Sequence, residues 1–139
     1  MNEVKLTDLF NTTNNLGSVY RIMRKSDENF SRFGEVYITT IKPNLFKGWK
    51  KHKKNTTNLA VPHGNVKVIT INGDQDKSSE RSFILSPNQY RLLTIPPGYW
   101  FGMKNIASYE SIIVNFSDFE HNLDEVITKD INFLRSKDL

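Results

Sequence analysis

The 139-residue chain contains no cysteine. That excludes disulfides, thiol nucleophiles and cysteine-held metal. No apolar run approaches the ~18 residues of a membrane-spanning helix, and no charged-then-apolar leader opens the sequence. The expectation is a cytoplasmic protein with no membrane partner. There are only three histidines, so imidazole chemistry must come from His52, His63 or His121. A Gly-rich phosphate loop, a Ser-His-Asp arrangement, internal repeats and low-complexity tracts are all missing. The length suits a single domain over residues 1–139 with a substantial core, and no boundary is expected within it.

What the chain does have is a concentrated positive charge. Its formal net charge is +4, and five lysines lie between Lys47 and Lys54, so the remainder is close to neutral. Such a patch attracts phosphate or an acidic surface, or it is simply the solvated face of a strand. Apart from Trp49 it lacks the interleaved aromatic platform of single-strand binders, so a nucleic-acid partner is not expected.

The pattern is mostly β. Val36 to Ile41 is β-branched and aromatic and is closed by Pro43. Strands are predicted over Asn58–Val61 and Val66–Ile71, around a turn at Pro62-His63-Gly64-Asn65. Further strands are predicted over Ser82–Leu85, Tyr90–Ile95, Trp100–Lys104 and Ser111–Phe116. Short strands at this spacing predict an all-β sandwich or barrel. Asn72 to Glu80 is polar, lacks an apolar anchor and is expected to be a mobile loop. From Leu123 to Leu134 the apolar residues Val126, Ile127, Ile131 and Leu134 approximate one helical face, which predicts a short closing helix.

The chemistry concentrates in Lys47-Gly48-Trp49-Lys50-Lys51-His52-Lys53-Lys54. Strict strand alternation puts Gly48, Lys50 and His52 on one face and Lys47, Trp49, Lys51 and Lys53 on the other. If the first face looks inward, a neutral His52 could serve as general base. Lys50 could then stabilise negative charge developing on a carbonyl oxygen. A histidine that only hydrogen-bonds within a core is the alternative. His63 falls in a turn and His121 in a loop. Trp49 and Trp100 pack in the core or stack on a ring at a pocket rim.

Two motif frames can be laid on these residues. Lys50-x-His52 is followed by four residues, Thr57, six residues and Gly64. Pro96-x-Gly98 is followed by two residues, Phe101, three residues and Asn105. The spacing resembles the two cupin motifs, with three of the four usual metal ligands replaced by Lys50, Thr57 and Phe101. One imidazole is too few ligands for a first-row metal, so neither metal nor cofactor is expected. Leu16-Gly17-Ser18-Val19, Phe30-Ser31, Val36-Tyr37, Ile95-Pro96-Pro97-Gly98 and Asn115-Phe116-Ser117-Asp118 extend the match. The chain resembles the cupins of nucleotide-sugar biosynthesis, the dTDP-4-dehydrorhamnose 3,5-epimerase and dTDP-4-keto-6-deoxyhexose 3,4-ketoisomerase group.

That resemblance implies a cupin jelly-roll barrel, a homodimer, and isomerase or epimerase action on a nucleotide-linked 4-keto sugar in surface-polysaccharide synthesis. His52 would remove the proton beside the keto group and Lys50 would hold the enolate oxygen. Tyr37 and Tyr99 are the candidate acids. Lys47 would lie near the diphosphate, and Trp49, Thr57 and Asn105 complete the expected substrate-binding set. The chain departs from the family at Lys50, where the epimerase has its basic histidine, and at Val114, which aligns with the epimerase's tyrosine acid. Lys47 replaces an arginine, which keeps the charge and loses bidentate recognition. The alternative is a cupin that binds a sugar nucleotide or carbohydrate without catalysis.

Overall fold

The computed structural model describes residues 3–73 and 77–134. Twelve strands follow in order: β1 (Lys5–Asp8), β2 (Asn11–Asn14), β3 (Gly17–Tyr20), β4 (Glu35–Ile41), β5 (Phe46–His52), β6 (Thr57–His63), β7 (Val66–Asn72), β8 (Arg81–Leu85), β9 (Arg91–Ile95), β10 (Tyr99–Asn105), β11 (Ser111–Ser117) and β12 (Val126–Thr128). One five-stranded sheet runs β1-β9-β6-β11-β4, and the other runs β12-β5-β10-β7-β8. Every pairing is antiparallel. β2 and β3 form a separate hairpin. Among the described residues no helix is long and apolar enough to cross a membrane.

The two sheets face one another as a jelly-roll sandwich. Alternate residues from each inner face form the main core, with Leu59, Val61, Leu93 and Ile113 meeting Val66, Val68, Leu85, Phe101 and Met103. Both outer faces are partly covered as well. The N-terminal segment lays Leu9, Tyr20, Ile22 and Met23 over Ala60, Tyr90 and Leu92. The C-terminal segment brings Ile127, Phe133 and Leu134 onto Trp49, Ile69, Ile71 and Trp100. Burying apolar area on three levels gives a chain of this size more core than a bare two-sheet sandwich would have.

The expected C-terminal helix is not formed. Val126-Ile127-Thr128 pairs instead with Lys50–His52 on β5. These residues are β-branched, and the open edge of β5 supplies hydrogen-bond partners that a short isolated helix would have to find within itself. Leu134 is buried as the helical pattern required, but it reaches Trp49 and Trp100 through turns. In the polar loop expected over 72–80, residues 74–76 lie outside the described residues. Its two sides are ordered structure, with Asn72 ending β7 and Lys77–Ser79 forming one 3-10 turn.

A β-bulge in β5 governs what faces inward. Phe101 pairs with Lys50, but Met103 pairs with Lys47, so Gly48 and Trp49 together oppose Gly102. Two residues against one keep Gly48 and Trp49 on the same side of the sheet and return Lys47 to the other. Phe101 and Met103 belong to the inner core, so their partners Lys50 and Lys47 both face inward. Trp49 is fully buried in the outer cluster. A Cβ on Gly48 would stand 2.8 Å from the Lys129 carbonyl oxygen, on that same outer side. Strict alternation therefore places Lys50, His52 and Trp49 correctly and misplaces Gly48 and Lys47.

Candidate active site

Lys47 and Lys50, two inward residues of β5, form one wall of the site. Tyr37 and Thr39 of β4 and Asn115 of β11 oppose them from the other sheet. A cavity of about 80 Å³ lies between, floored by Phe101 and Met103. Phe101 stands where the cupin frame puts a metal ligand, and its ring fills that space. The room that remains suits the reacting edge of a ligand entering from the mouth.

His52 ends β5 just beyond this cavity and does not itself line it. Its side chain is 11% exposed, and Nδ1 lies 2.7 Å from Glu125 Oε1. Its ring stacks on Phe101, with centroids 6.1 Å apart and planes at 20°. Glu125 Oε2 accepts the backbone N–H groups of Lys54 and Asn55, both at 2.8 Å. Burial acts to raise the Glu125 carboxyl, but hydrogen bonds from His52, Asn55 and Lys54 outweigh it and hold it below the usual carboxylate value. An ionised Glu125 can only accept, so Nδ1 carries a proton and donates it, and Nε2 is the ring nitrogen not engaged by Glu125.

Two groups that line the cavity have shifted acidities. Burial, reinforced by Glu35 and Glu125, pushes the Tyr37 phenol up, so it keeps its proton and faces the cavity as a hydrogen-bond donor. Burial, then the charge of Lys47, pushes the Lys50 ammonium down. Lys50 still meets solvent at the cavity mouth, which leaves it within reach of a ligand. Among the described residues, neither Lys47 nor Lys50 has a carboxylate partner.

The remaining expected site residues fall elsewhere. Trp49 is fully buried outside the barrel, its Nε1–H directed at the Ile131 carbonyl 3.4 Å away, so it cannot stack on a substrate. Asn105 is fully buried and completely engaged. Its amide donates to the carbonyls of Ile41 and Tyr109, both at 2.8 Å, and its oxygen accepts from Ala107 N–H and the Ser111 hydroxyl. It ties β10, β4 and the following turn together and has no capacity left for a ligand. Thr57 is buried on β6 and does not line the cavity. Tyr99 packs against the main core and borders a different hollow, beside Glu3 and Arg81. Val114 lies on the outer face, and the cavity-facing residue of β11 is its neighbour Asn115, whose amide bonds the Thr39 hydroxyl at 3.0 Å. His63 is exposed against Tyr109, and His121 makes a loop contact through its backbone N–H to Glu35.

Glu125 is the residue that sequence reasoning missed. It lies 73 positions from His52, in the stretch whose periodicity resembled a helix, and nothing local marks it. Together His52 and Glu125 make an oriented base, Tyr37 supplies a proton donor and Lys50 an amine or ammonium. That set suits proton removal next to a carbonyl. A metal would find one imidazole and one carboxylate already bonded to each other, and among the described residues no three His, Cys, Asp or Glu side chains converge as a ligand set.

No protein-family model matches the sequence, and neither does any curated protein. Solved structures do. A dTDP sugar isomerase from Desulfovibrio desulfuricans G20 is 30% identical with a TM-score of 0.88, over 96% of this chain and 89% of that one. QdtA, a sugar 3,4-ketoisomerase from Thermoanaerobacterium thermosaccharolyticum in complex with TDP, is 21% identical with a TM-score of 0.75, over 89% of this chain and 86% of that one. NovW, a 4-keto-6-deoxy sugar epimerase from the novobiocin gene cluster of Streptomyces spheroides, is 10% identical with a TM-score of 0.83, over 96% of this chain and 73% of that one. The last two speak for the fold alone; the first is similar in both sequence and fold.

Proposed function

Since this chain belongs to the dTDP-sugar epimerase and ketoisomerase group of cupins, we propose that it is an isomerase acting on a nucleotide-linked 4-keto sugar. His52, oriented by Glu125, takes a proton from the carbon beside the keto group through Nε2. Lys50 stands at the carbonyl and offsets the charge that develops there. Tyr37 is the proton donor, returning a proton to oxygen or carbon. Lys47 lies toward the diphosphate, where its charge is useful without bidentate geometry.

The observation that carries this reading is the oriented His52–Glu125 pair, with the His52 ring stacked on Phe101, which lines the cavity together with Lys50 and Tyr37. The test is exchange of solvent deuterium into a 4-keto sugar nucleotide. An enzyme incorporates label at a carbon next to the carbonyl. A cupin that only binds the sugar nucleotide gains thermal stability from it and incorporates none.

A homodimer is also part of the proposal. Val36 and Ile38 are 47% and 64% exposed on the outer face of β4, and Leu16 at the tip of the β2–β3 hairpin is 97% exposed. Apolar groups left so open favour a partner surface. Sedimentation at micromolar concentration should give twice the 16.1 kDa chain mass.

A further inference from the structure

The isomerase reading places Lys50 at the keto group, and a covalent role for Lys50 rests on that reading. Three features of the cavity bear on how Lys50 acts there. The bulge at Gly48–Trp49 brings Lys47 onto the inner face beside Lys50, so two cations share one small space. Among the described residues no carboxylate neutralises either of them. The walls next to Lys50 include the apolar side chains of Phe101 and Met103, with the Tyr37 phenol across the cavity. An ammonium set beside a second cation and against apolar side chains is disfavoured, and the neutral amine it leaves is a good nucleophile. The downward shift of Lys50, from burial first and Lys47 second, agrees with this.

We propose that Lys50 forms an imine with the keto carbon of the sugar, so that proton removal gives an enamine instead of a free enolate. The Nζ lone pair of the neutral amine attacks the carbonyl carbon and the C=O π pair moves to oxygen. Oxygen takes a proton from Tyr37, and nitrogen gives one back to the Tyr37 phenolate, leaving a neutral carbinolamine. A second proton from Tyr37 lets the hydroxyl leave as water while the nitrogen lone pair forms the C=N bond of an iminium, and Tyr37 is reprotonated from solvent. His52 Nε2 then takes the proton on the neighbouring carbon. The C–H pair becomes C=C and the C=N pair returns to nitrogen. Reprotonation at carbon restores the iminium, and one water adds back to release the isomerised ketone and free Lys50. One water leaves and one returns, and nothing is oxidised or reduced.

The decisive experiment adds sodium cyanoborohydride to the protein with TDP-4-keto-6-deoxyglucose. The reagent delivers hydride to an iminium carbon and fixes it as a secondary amine. A single adduct should form, heavier than the protein by the sugar nucleotide less one oxygen, and peptide mapping should place it on Lys50. Lys50→Arg keeps the charge but cannot form the imine. It should show no adduct and should lose deuterium exchange by about 100-fold or more. The trapping itself is read on the unaltered protein, so it stands even if the variant folds poorly. Deuterium exchange by the unaltered protein with no adduct on Lys50, and retained by Lys50→Arg, would overturn the imine and leave the isomerase reading intact. An adduct on Lys50 without deuterium exchange would support the imine and contradict the isomerase. Adducts scattered over the lysines of the patch would overturn the imine.

Discussion

His52 Nδ1 and Glu125 Oε1 are 2.7 Å apart, and this contact joins the inner wall of the barrel to the segment that enters β12. Glu125 is held in turn by the amides of Lys54 and Asn55, so the carboxylate cannot rotate away from the imidazole. The backbone after β5 thus fixes the tautomer of a residue at the end of β5. Replacing Glu125 by Gln puts an NH₂ group where one of these donors must be met. Deuterium exchange should fall by about 10-fold or more, and the pH profile of kcat/KM should change with it. A merely structural Glu125 would leave that profile in place.

The same carboxylate predicts an acid limit to stability. Its folded-state acidity lies below the ordinary value of 4.5, so its contribution is present above that value and is lost as pH falls through the lower folded one. The melting temperature of the unaltered protein should drop on acidification below about pH 4.5, and Glu125→Gln should flatten part of that drop. Parallel curves for the two proteins would contradict the assignment.

At the alkaline end the relevant group is Tyr90. Burial, then the neighbouring Tyr20, pushes its phenol up to about 12 from 10.0, and its buried hydroxyl has no hydrogen-bond partner among the described residues. The raised value means that its contribution is fully present below pH 10 and is lost as pH rises from there through about 12. Tyr90→Phe should remove this alkaline loss. It should also stabilise the protein at neutral pH by up to about 1 kcal/mol, since an unpaired buried hydroxyl is removed. Denaturant unfolding at pH 7 and pH 11 measures both effects.

Asn105 and Gly48 should behave as structural residues. Asn105→Ala strands the Ile41 and Tyr109 carbonyls, the Ala107 amide and the Ser111 hydroxyl, at a cost of about 2–4 kcal/mol. Gly48→Ala drives a methyl against the Lys129 backbone, at a cost of about 1–3 kcal/mol. Chemical denaturation reads both costs. In whatever fraction remains folded, KM for the sugar nucleotide should be unchanged by Asn105→Ala; a raised KM would return Asn105 to the binding set.

The all-β architecture was legible because alternation and turn residues repeat through Val36–Ile41, Val66–Ile71 and Ser111–Phe116, and each of these formed a strand within a residue of its predicted ends. His52 and Lys50 were legible for a similar reason, since a motif frame and a two-residue period agreed. Lys47 was not, because a bulge is set by the facing strand: whether Gly102 opposes one residue or two is invisible in the sequence of β5. The C-terminal strand was hidden by coincidence, with Ile127, Ile131 and Leu134 spaced for a helix while the open edge of β5 decided the outcome. Trp49 and Asn105 have residue types that suit ligand contact, and only tertiary packing shows that Trp49 is covered from outside and Asn105 spent on backbone. Glu125 required a contact between distant segments, which no local pattern encodes.

The central claim is that His52 is a base working on a 4-keto sugar nucleotide, and deuterium wash-in tests it most directly. TDP-4-keto-6-deoxyglucose and related 4-keto sugar nucleotides, incubated with the protein in D₂O and followed by NMR, should gain deuterium at a carbon adjacent to the carbonyl. His52→Asn keeps much of the shape and should slow that exchange by about 100-fold or more, while the rise in melting temperature caused by the sugar nucleotide persists. Binding without wash-in by the unaltered protein, across the whole panel, would contradict the isomerase and leave a sugar-nucleotide-binding cupin.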